Sequence, residues 1–242
     1  MCIDTFPKIP YSDENKRNRN ALHWGQRKLL LSEIEFLTEY SHDGDVVIYA
    51  GAAPGSHLVY LAEVLFPNLK FMLVDPNKFN KDLYHVRNVT IMESYFTDEI
   101  AMEIKKIRNI ESGNNLLFIS DIRTADPLVM DPEQNEKCIT EDLTLQKGWL
   151  EILLPRFSML KFRLPFTEGK IKYFRGDIYL PVWGRKWTTE CRLVIKEEDI
   201  KDSNQIEYDN LSYSDQLFYF NNITRFENIY PHDICSDGVD NW

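Results

Sequence analysis

The chain has 242 residues, of which 43% are hydrophobic and 13% aromatic, and its formal net charge is −10 at pH 7. This composition predicts one domain of α/β size. We place that domain at 21–225, between a polar arm at 1–20 and a tail at 226–242. The acidic balance argues against non-specific adhesion to nucleic acid, so any RNA contact requires a local basic patch. No apolar stretch approaches the roughly 18 residues of a membrane helix and no apolar leader is present, which indicates a soluble, unexported protein without a membrane partner.

The cysteines are scattered along the chain and form no Cys-x-x-Cys pair. They are Cys2, Cys138, Cys191 and Cys235. This spacing favours free thiols in a reducing compartment over a disulfide framework or a zinc site. No cluster of His, Cys and Asp has the spacing of metal ligands, so the sequence predicts a site without a metal.

After the polar arm, periodic apolar residues predict a helix over 26–40. Its apolar side is predicted to consist of Leu30, Ile34 and Leu37, with Leu29 and Phe36 at the edge. The polar segment 42–45 ends this helix and leads into an apolar, β-branched run at 46–50, which predicts a strand.

That strand runs into a turn with two glycines, Gly51 and Gly55, followed by a helix-like segment over 58–66. Glycines allow close approach to the backbone, and the free N–H groups at a helix start can bind the polar part of a nucleotide-like ligand. The next predicted strand, 71–74, ends in Asp75, where a carboxylate would meet a ribose hydroxyl pair. Together these features indicate an adenosine-type cofactor, while a purely structural strand-to-helix connection remains the alternative for the turn alone.

The remaining chain alternates strands and helices before strands predominate. Strands are predicted at 89–92, 116–121, 158–163, 171–174 and 188–195, helices at 98–107 and 133–154, and a solvated loop at 196–202. In the longer helix, which Pro155 stops, the predicted buried residues are Leu143, Leu145, Leu150, Ile152 and Leu153. This order predicts a doubly wound α/β fold with helices on both faces of a mostly parallel sheet and an antiparallel end.

Charged residues lie at or within three of the apolar strands. Asp121 ends one strand, Lys161 lies within the next, and Glu190 lies within the last. Burial of a charge is costly without a partner, so convergence of these side chains near the cofactor would create a site for proton abstraction. Lys28, on the first helix, would be a fourth member. The alternative for each of these four residues is an ordinary solvent-exposed position.

Five segments resemble, in register, the poxvirus cap-specific mRNA (nucleoside-2′-O-)methyltransferases, which also serve as the small, processivity-conferring subunit of the viral poly(A) polymerase. They are 25–31, 53–57, 119–123, 160–166 and 190–193, and the resemblance runs from about residue 21 to about residue 223. It implies a Rossmann-like fold and an enzyme that uses S-adenosylmethionine and releases S-adenosylhomocysteine.

The resemblance also implies the residues of a methyl-transfer site. The catalytic tetrad would be Lys28, Asp121, Lys161 and Glu190. S-adenosylmethionine would lie against Gln26, Gly51, Ala53, Pro54, Gly55, His57 and Asp75, with Asp121 near its reacting end. A ribose 2′-hydroxyl is a poor nucleophile until its proton begins to leave, so we expect Lys161 to act as the general base, kept partly neutral by burial and by Lys28.

A methylated guanine is cationic, stacks between aromatic rings and can be bound at its edge by carboxylates. The resemblance implies Phe166 as one stacking ring and Glu168 as one acidic contact, and Tyr11 in the arm is a plausible opposite ring. Asp215 would be the second acidic contact, beside Ser214 at the position where the family has a glutamate. Core packing of Phe166 and a poorly ordered arm at Tyr11 are the alternatives.

A discontinuous basic set with interleaved aromatic residues is typical of a groove for single-stranded RNA, with an ordinary mixed surface as the alternative. The basic residues are Lys16, Arg17, Arg19, Arg27, Arg163, Lys170, Lys172, Arg175, Arg185 and Lys186, and the aromatic residues are Tyr173, Phe174, Trp183 and Trp187. Binding through such a groove would weaken steeply as salt rises.

The resulting hypothesis is an enzyme that methylates the ribose 2′-O of the first transcribed nucleotide of capped mRNA. The resemblance implies a large DNA virus, a place in the viral factory or virion in the host cytoplasm, and a poly(A) polymerase catalytic subunit as a partner. One alternative is a 2′-O-methyltransferase for uncapped ribosomal or transfer RNA. The other is a non-catalytic RNA-binding processivity subunit of a viral poly(A) polymerase.

Overall fold

A computed structural model of the chain describes residues 7–11, 24–108, 115–126, 129–181 and 184–225. The tail at 226–242, the basic residues Lys16, Arg17 and Arg19, the aromatic residue Trp183, and the thiols of Cys2 and Cys235 lie outside these ranges. Cys138 and Cys191, within them, are free cysteines. None of the helices in the described part of the chain is long and apolar enough to cross a membrane.

Nine strands are described: β1 Val46–Ala50, β2 Lys70–Val74, β3 Val89–Met92, β4 Leu116–Ser120, β5 Phe157–Phe162, β6 Lys170–Phe174, β7 Asp177–Tyr179, β8 Cys191–Lys196 and β9 Gln205–Asp209. Seven of them form one sheet in the order β3-β2-β1-β4-β5-β8-β7, while β6 and β9 pair separately. From β3 to β5 the neighbours in the large sheet are parallel, whereas β8 is antiparallel to both β5 and β7. The predicted mostly parallel sheet with an antiparallel end is confirmed.

Helices cover both faces of the large sheet. They are α1 Trp24–Tyr40, α2 Leu58–Tyr60 with a π-helical turn at Leu61–Leu65, a 3-10 turn at Lys81–His85, α3 Asp98–Arg108, α4 Pro132–Leu153, α5 Glu197–Lys201, and α6 Asn210–Tyr219 with a π-helical turn at Phe220–Thr224. One core contains Phe118 of β4 with Trp149 of α4, and the other contains Val47 of β1 with Phe36 of α1. Coverage on both sides explains why the central strands are almost continuously apolar.

The structure corrects several sequence predictions about burial. The buried face of α1 consists of Leu29, Glu33, Phe36 and Leu37, whereas Leu30 and Ile34 are only partly buried. The buried face is therefore rotated about the helix axis toward the side that was predicted to be its edge. In α4, Leu145 is 43% exposed and its predicted burial is wrong. The buried positions of α4 follow helical spacing through Leu143, Gln146, Leu150 and Leu153, and Leu145 lies off that stripe.

Two predictions for the segment around the antiparallel strand β8 are also wrong. The segment 188–190 precedes β8, which begins at Cys191, and the charged run expected as a loop contains helix α5. Three acidic residues in the first turn of α5 and Lys201 in its last turn favour a helix through its dipole, and Ile200 is buried. Strand β6 pairs with β9, which the sequence analysis did not predict, outside the large sheet.

Candidate active site

The glycine turn lies at the carboxyl edge of the parallel strands, the place where open α/β sheets bind ligands. Gly51 has φ +79°, and a Cβ atom there would lie 2.8 Å from the backbone carbon of Asp121. Gly55 has φ +61°, and a Cβ atom there would lie 2.9 Å from the carbonyl oxygen of Ala52. Both positions therefore require glycine, and the turn packs directly against the backbone of a predicted catalytic residue.

Asp75 follows β2 at the same edge and is 7% exposed. Its Oδ2 accepts a hydrogen bond from the N–H of Ala53 at 3.1 Å, and its Oδ1 accepts two from Asn77 at 2.8 and 3.0 Å. A carboxylate has about four acceptor positions, so Oδ2 retains one for a ligand hydroxyl. The structure therefore links the predicted ribose-binding residue to the glycine turn.

Gln26 and His57 are joined by a network that the sequence interpretation missed. Nδ1 of His57 lies 2.7 Å from Oε1 of Gln26, and Nε2 lies 2.9 Å from Oε2 of Glu33. Glu33 is fully buried in α1 and also accepts a hydrogen bond from Tyr49 at 2.7 Å. Burial and the neighbouring Glu33 raise the pKa of Tyr49 well above its ordinary value, so Tyr49 remains a donor. The network connects α1 to the glycine turn. In the sequence, a glutamate on an apolar helix face could have indicated this network.

The four predicted catalytic residues converge at the end of β4 and β5. Lys161 Nζ lies 3.2 Å from Asp121 Oδ1 and 3.7 Å from Glu190 Oε2. Lys28 Nζ, reaching in from α1, donates a hydrogen bond to Glu190 Oε1 at 3.0 Å. Glu190 therefore bridges the two lysines, and all four side chains are about one-fifth exposed or less.

Arg192 is a fifth charged member that the sequence interpretation missed. Its Nη2 atom lies 2.9 Å from Asp121 Oδ1 and 3.4 Å from Glu190 Oε1, and the residue is 5% exposed. It pairs with Lys161 across the ladder between β5 and β8. The signal was a second charge two residues after Glu190, on the same face of the chain. Two carboxylates thus face three cations within the described cluster.

The cations determine the charge state of the carboxylate that they share. Burial alone would raise the pKa of Glu190, but Lys161, Arg192 and Lys28 hold it well below its ordinary value. Burial would likewise lower the pKa of the Arg192 guanidinium, but Asp121 and Glu190 raise it above its ordinary value. Both side chains are therefore ionised at neutral pH. Such a cluster can orient the amino group of a lysine toward a reacting hydroxyl.

Three of the predicted cap-binding residues, Tyr11, Phe166 and Asp215, also come together. The rings of Tyr11 and Phe166 have centroids 4.8 Å apart, and the Tyr11 N–H donates to Asp215 Oδ1 at 2.8 Å. Phe218, which had been given no role, contacts Tyr11 at 5.4 Å, whereas Glu168 is exposed. A base stacked between two rings needs them about 7 Å apart, so Tyr11 and Phe166 are in direct contact rather than set at that spacing.

The predicted basic groove is only partly supported by side-chain placement. Lys172, Arg175, Arg185 and Lys186 are exposed, as is Lys170, which pairs with Glu207 at 3.4 Å. Tyr173 and Phe174 are 2% and 0% exposed, so their predicted place in a groove is wrong. Both belong to the core that contains Trp149, and they are the two buried residues at the end of β6.

Arg163, also predicted to bind RNA, contacts the ring of Phe166. Its guanidinium lies 4.8 Å from the ring centroid and forms an ion pair with Glu136 at 3.1 Å. Glu136 in turn accepts a hydrogen bond from the Phe166 N–H at 2.5 Å. Arg163 and Glu136 together hold Phe166 in place. Among the described residues, no group of three or more His, Cys, Asp or Glu side chains is placed to hold a metal ion.

Comparison with known proteins agrees with this geometry. The model of the family described as Poly A polymerase regulatory subunit matches residues 4–241. A Myxoma virus (strain Lausanne) protein named cap-specific mRNA (nucleoside-2′-O-)-methyltransferase is 28% identical, over 96% of this chain and 71% of that protein. A Fowlpox virus (strain NVSL) protein of the same name is 29% identical, over 89% of this chain and 72% of that protein.

The structure of this chain is similar to part of the VP4 protein of bluetongue virus, which is described as a multifunctional RNA-capping production line. The TM-score is 0.50 at 14% sequence identity, and the match covers 88% of this chain and 37% of that chain. At this identity the likeness shows a shared Rossmann-like α/β fold.

Proposed function

This chain belongs to the Poly A polymerase regulatory subunit family, and we propose that it methylates the ribose 2′-O of the first transcribed nucleotide of capped mRNA. The observation that carries the proposal is the cluster of Lys28, Asp121, Lys161 and Glu190 beside the glycine turn. The Myxoma and Fowlpox relatives bear the name of this activity. Methyl transfer to a hydroxyl needs in-line positioning and removal of a proton, and a clustered lysine and two carboxylates suit both tasks.

The cofactor in this proposal is S-adenosylmethionine, and the residues around the turn fit it. Gly51 and Gly55 leave space that a Cβ atom would fill, and Asp75 offers a hydroxyl acceptor beside Ala53. Gln26 and His57 line the same turn and fix each other through their hydrogen bond. When bound, the cofactor supplies an electrophilic sulfonium methyl group.

Within the cluster we assign Lys161 the role of general base for the 2′-hydroxyl. Asp121 and Glu190 fix two directions around its Nζ atom, at 3.2 and 3.7 Å. The remaining direction is available to the substrate oxygen, since an amine nitrogen has room for a third polar neighbour. Lys28 holds Glu190 from the other side, so it acts by positioning that carboxylate.

Cap recognition is assigned to Phe166, Tyr11, Asp215 and Glu168. The cationic methylated base would stack on Phe166, whose ring is fixed by Arg163, and Tyr11 would move aside and close on the opposite face. Its movement would free Asp215 Oδ1, now bound to the Tyr11 N–H, for the edge of the base. The exposed Glu168 would approach the same edge.

The RNA chain would follow the exposed basic residues Lys170, Lys172, Arg175, Arg185 and Lys186. Such contacts with phosphates make affinity fall as salt rises. The family description also supports a poly(A) polymerase catalytic subunit as a partner, which affinity capture with that subunit would test. The poxvirus relatives support a cytoplasmic location in a viral factory or virion.

Asp75→Ala is expected to weaken binding of S-adenosylmethionine by about 1–3 kcal/mol, the usual cost of leaving buried hydroxyls unpaired. Titration calorimetry measures this change directly. The matched control is Asp82→Ala, which removes an exposed aspartate and should leave the affinity unchanged. Unchanged affinity in a folded Asp75→Ala variant would remove Asp75 from the cofactor site.

Phe166→Ala is expected to lose about 1–3 kcal/mol of stacking energy with a methylated cap analogue. Fluorescence titration of the analogue measures the loss, and unmethylated guanosine serves as the control ligand because it lacks the cationic ring. Equal losses for both ligands, or a loss for neither, would contradict cationic stacking on Phe166.

The experiment that tests the proposed function is transfer of a labelled methyl group from S-adenosylmethionine to capped and uncapped RNA of one sequence. The proposal expects incorporation that depends on the cap. Equal incorporation into both RNAs would favour a methyltransferase for uncapped RNA, and no incorporation would favour a non-catalytic RNA-binding subunit.

A further inference from the structure

The segment that leads into Glu190 is held by an unusual series of side-chain hydrogen bonds. Four consecutive carbonyl oxygens each accept one, from donors in the arm, in α6 and in the turn that follows α6. The pairs are Asn222 Nδ2 to Lys186 at 3.0 Å, Tyr11 OH to Trp187 at 3.1 Å, Asn221 Nδ2 to Thr188 at 2.7 Å, and Tyr213 OH to Thr189 at 2.7 Å. Since residues 187–190 belong to no strand, these side chains replace the ladder that would otherwise fix their backbone.

Tyr213 has the central place in this series. Its hydroxyl lies 2.7 Å from the Thr189 carbonyl oxygen, 3.1 Å from the Phe162 carbonyl oxygen and 3.3 Å from the Cys191 sulfur. Phe162 directly follows Lys161, and Thr189 and Cys191 flank Glu190. One buried oxygen atom therefore joins the two chain segments that carry the general base and its shared carboxylate.

The hydroxyl group of Tyr213 stays protonated at neutral pH. Burial, together with Cys191, raises the pKa of Tyr213 well above its ordinary value. Burial also raises the pKa of the Cys191 thiol to about 12. The phenol therefore donates to a carbonyl oxygen, while the thiol can donate to the phenol oxygen. The connection is maintained throughout the neutral range.

We propose that Tyr213 is a positioning residue for methyl transfer, which holds Glu190 in the place where its carboxylate contacts both Lys28 and Lys161. This inference rests on the proposed function of the site. The Glu190 carboxylate lies 3.0 Å from Lys28 Nζ and 3.7 Å from Lys161 Nζ, so a small displacement of the segment would break its contact with Lys161. Misplacement of a catalytic group by about 1 Å can cost roughly 100-fold in rate.

Tyr208 provides a matched control for the same chemical change. It is also buried, and its hydroxyl donates to a backbone carbonyl, that of Phe174 in β6, at 3.0 Å. Tyr208→Phe and Tyr213→Phe each remove one buried hydroxyl and retain the ring. Both are expected to lower the melting temperature, but only the second alters the support of Glu190.

The experiment compares these variants in methyl transfer to capped RNA. Tyr213→Phe should lower kcat by about tenfold or more and leave the KM values for both substrates within about twofold, since it disturbs the placement of reacting groups. Tyr208→Phe should leave kcat within about twofold of wild type. Equal kcat values for the two variants, with an active wild type, would overturn the inference. An inactive wild type would instead overturn the proposed function.

A double-mutant cycle tests whether Tyr213 acts through Glu190. In a Glu190→Gln background, Tyr213→Phe should lower kcat by less than about twofold, because the contact that it supports is already weakened. A full tenfold loss in that background would overturn the inference. If Tyr213→Phe does not fold, Asn221→Ala removes the adjacent support at Thr188 and should lower kcat several-fold; an unchanged kcat in that variant would overturn the inference equally.

Discussion

Lys161→Ala is expected to lower the rate of methyl transfer by at least about 100-fold, the lower end for loss of a positioned base. The cofactor should bind almost as well as before, because Lys161 contacts Asp121 and Glu190 rather than the glycine turn. Single-turnover kinetics with capped RNA measures the rate, and calorimetry measures binding. Lys196→Ala, at an exposed position ending β8, is the control and should retain full activity.

Lys161→Arg distinguishes the base from a fixed positive charge. A guanidinium remains charged at any usable pH, so the variant keeps the charge and loses the base. If Lys161 removes the proton, the arginine variant should be as impaired as the alanine variant. An arginine variant nearly as active as wild type would mean that Lys161 only anchors the substrate electrostatically, with the proton leaving to water or to Asp121.

Arg192→Met is expected to lower the free energy of unfolding by about 1.5–3 kcal/mol, because Asp121 and Glu190 each lose a nearly buried charged partner while Lys28 and Lys161 remain. Urea unfolding measures the loss. The control is Lys170→Met, which breaks an exposed ion pair with Glu207 and should cost less than about 1 kcal/mol. Comparable losses in the two variants would show that Arg192 does not neutralise the cluster.

The same change should alter how the free energy of unfolding depends on pH. In the folded wild type the pKa of Glu190 is held well below the ordinary value of 4.5, through Lys161, Arg192 and Lys28 acting against burial. A carboxylate whose folded pKa is depressed stabilises the fold above its unfolded pKa, and that stabilisation is lost as pH falls toward the folded value. Loss of Arg192 should raise the folded pKa of Glu190, so Arg192→Met has less of this stabilisation at neutral pH. In urea unfolding at decreasing pH, the variant should therefore lose less stability than the wild type.

The sequence predicted the parallel strands correctly, and it singled out Lys28, Asp121, Lys161 and Glu190, which the structure brings together. Their catalytic roles stay a prediction. Continuous apolar runs mark strands covered on both faces, and charges at the ends of such strands meet at one edge. Arg192 was missed although it lies two residues after Glu190, on the same face of the chain. Its pairing with Lys161 joins β5 to β8, two strands far apart in sequence, and local pattern does not show that pairing.

Other misses have the same origin in long-range contacts. Tyr11 and Asp215 meet across 204 positions of sequence, so their hydrogen bond could not be inferred from local pattern. Tyr173 and Phe174 resembled the aromatic residues of an RNA groove, and only the pairing of β6 with β9 places them in the core. Glu33 was given no role in the sequence analysis, because its contact with His57 joins two segments that are distant in the sequence.

The central claim is methylation at one atom, and mass spectrometric mapping of the product tests it most directly. Capped RNA is incubated with S-adenosylmethionine, digested to the cap dinucleotide and analysed for the position of the new methyl group, with Lys161→Ala as the inactive control. The account predicts one methyl group on the ribose 2′-oxygen of the first transcribed nucleotide, dependent on Lys161. A methyl group on a base, or equal methylation of the same RNA without a cap, would contradict it.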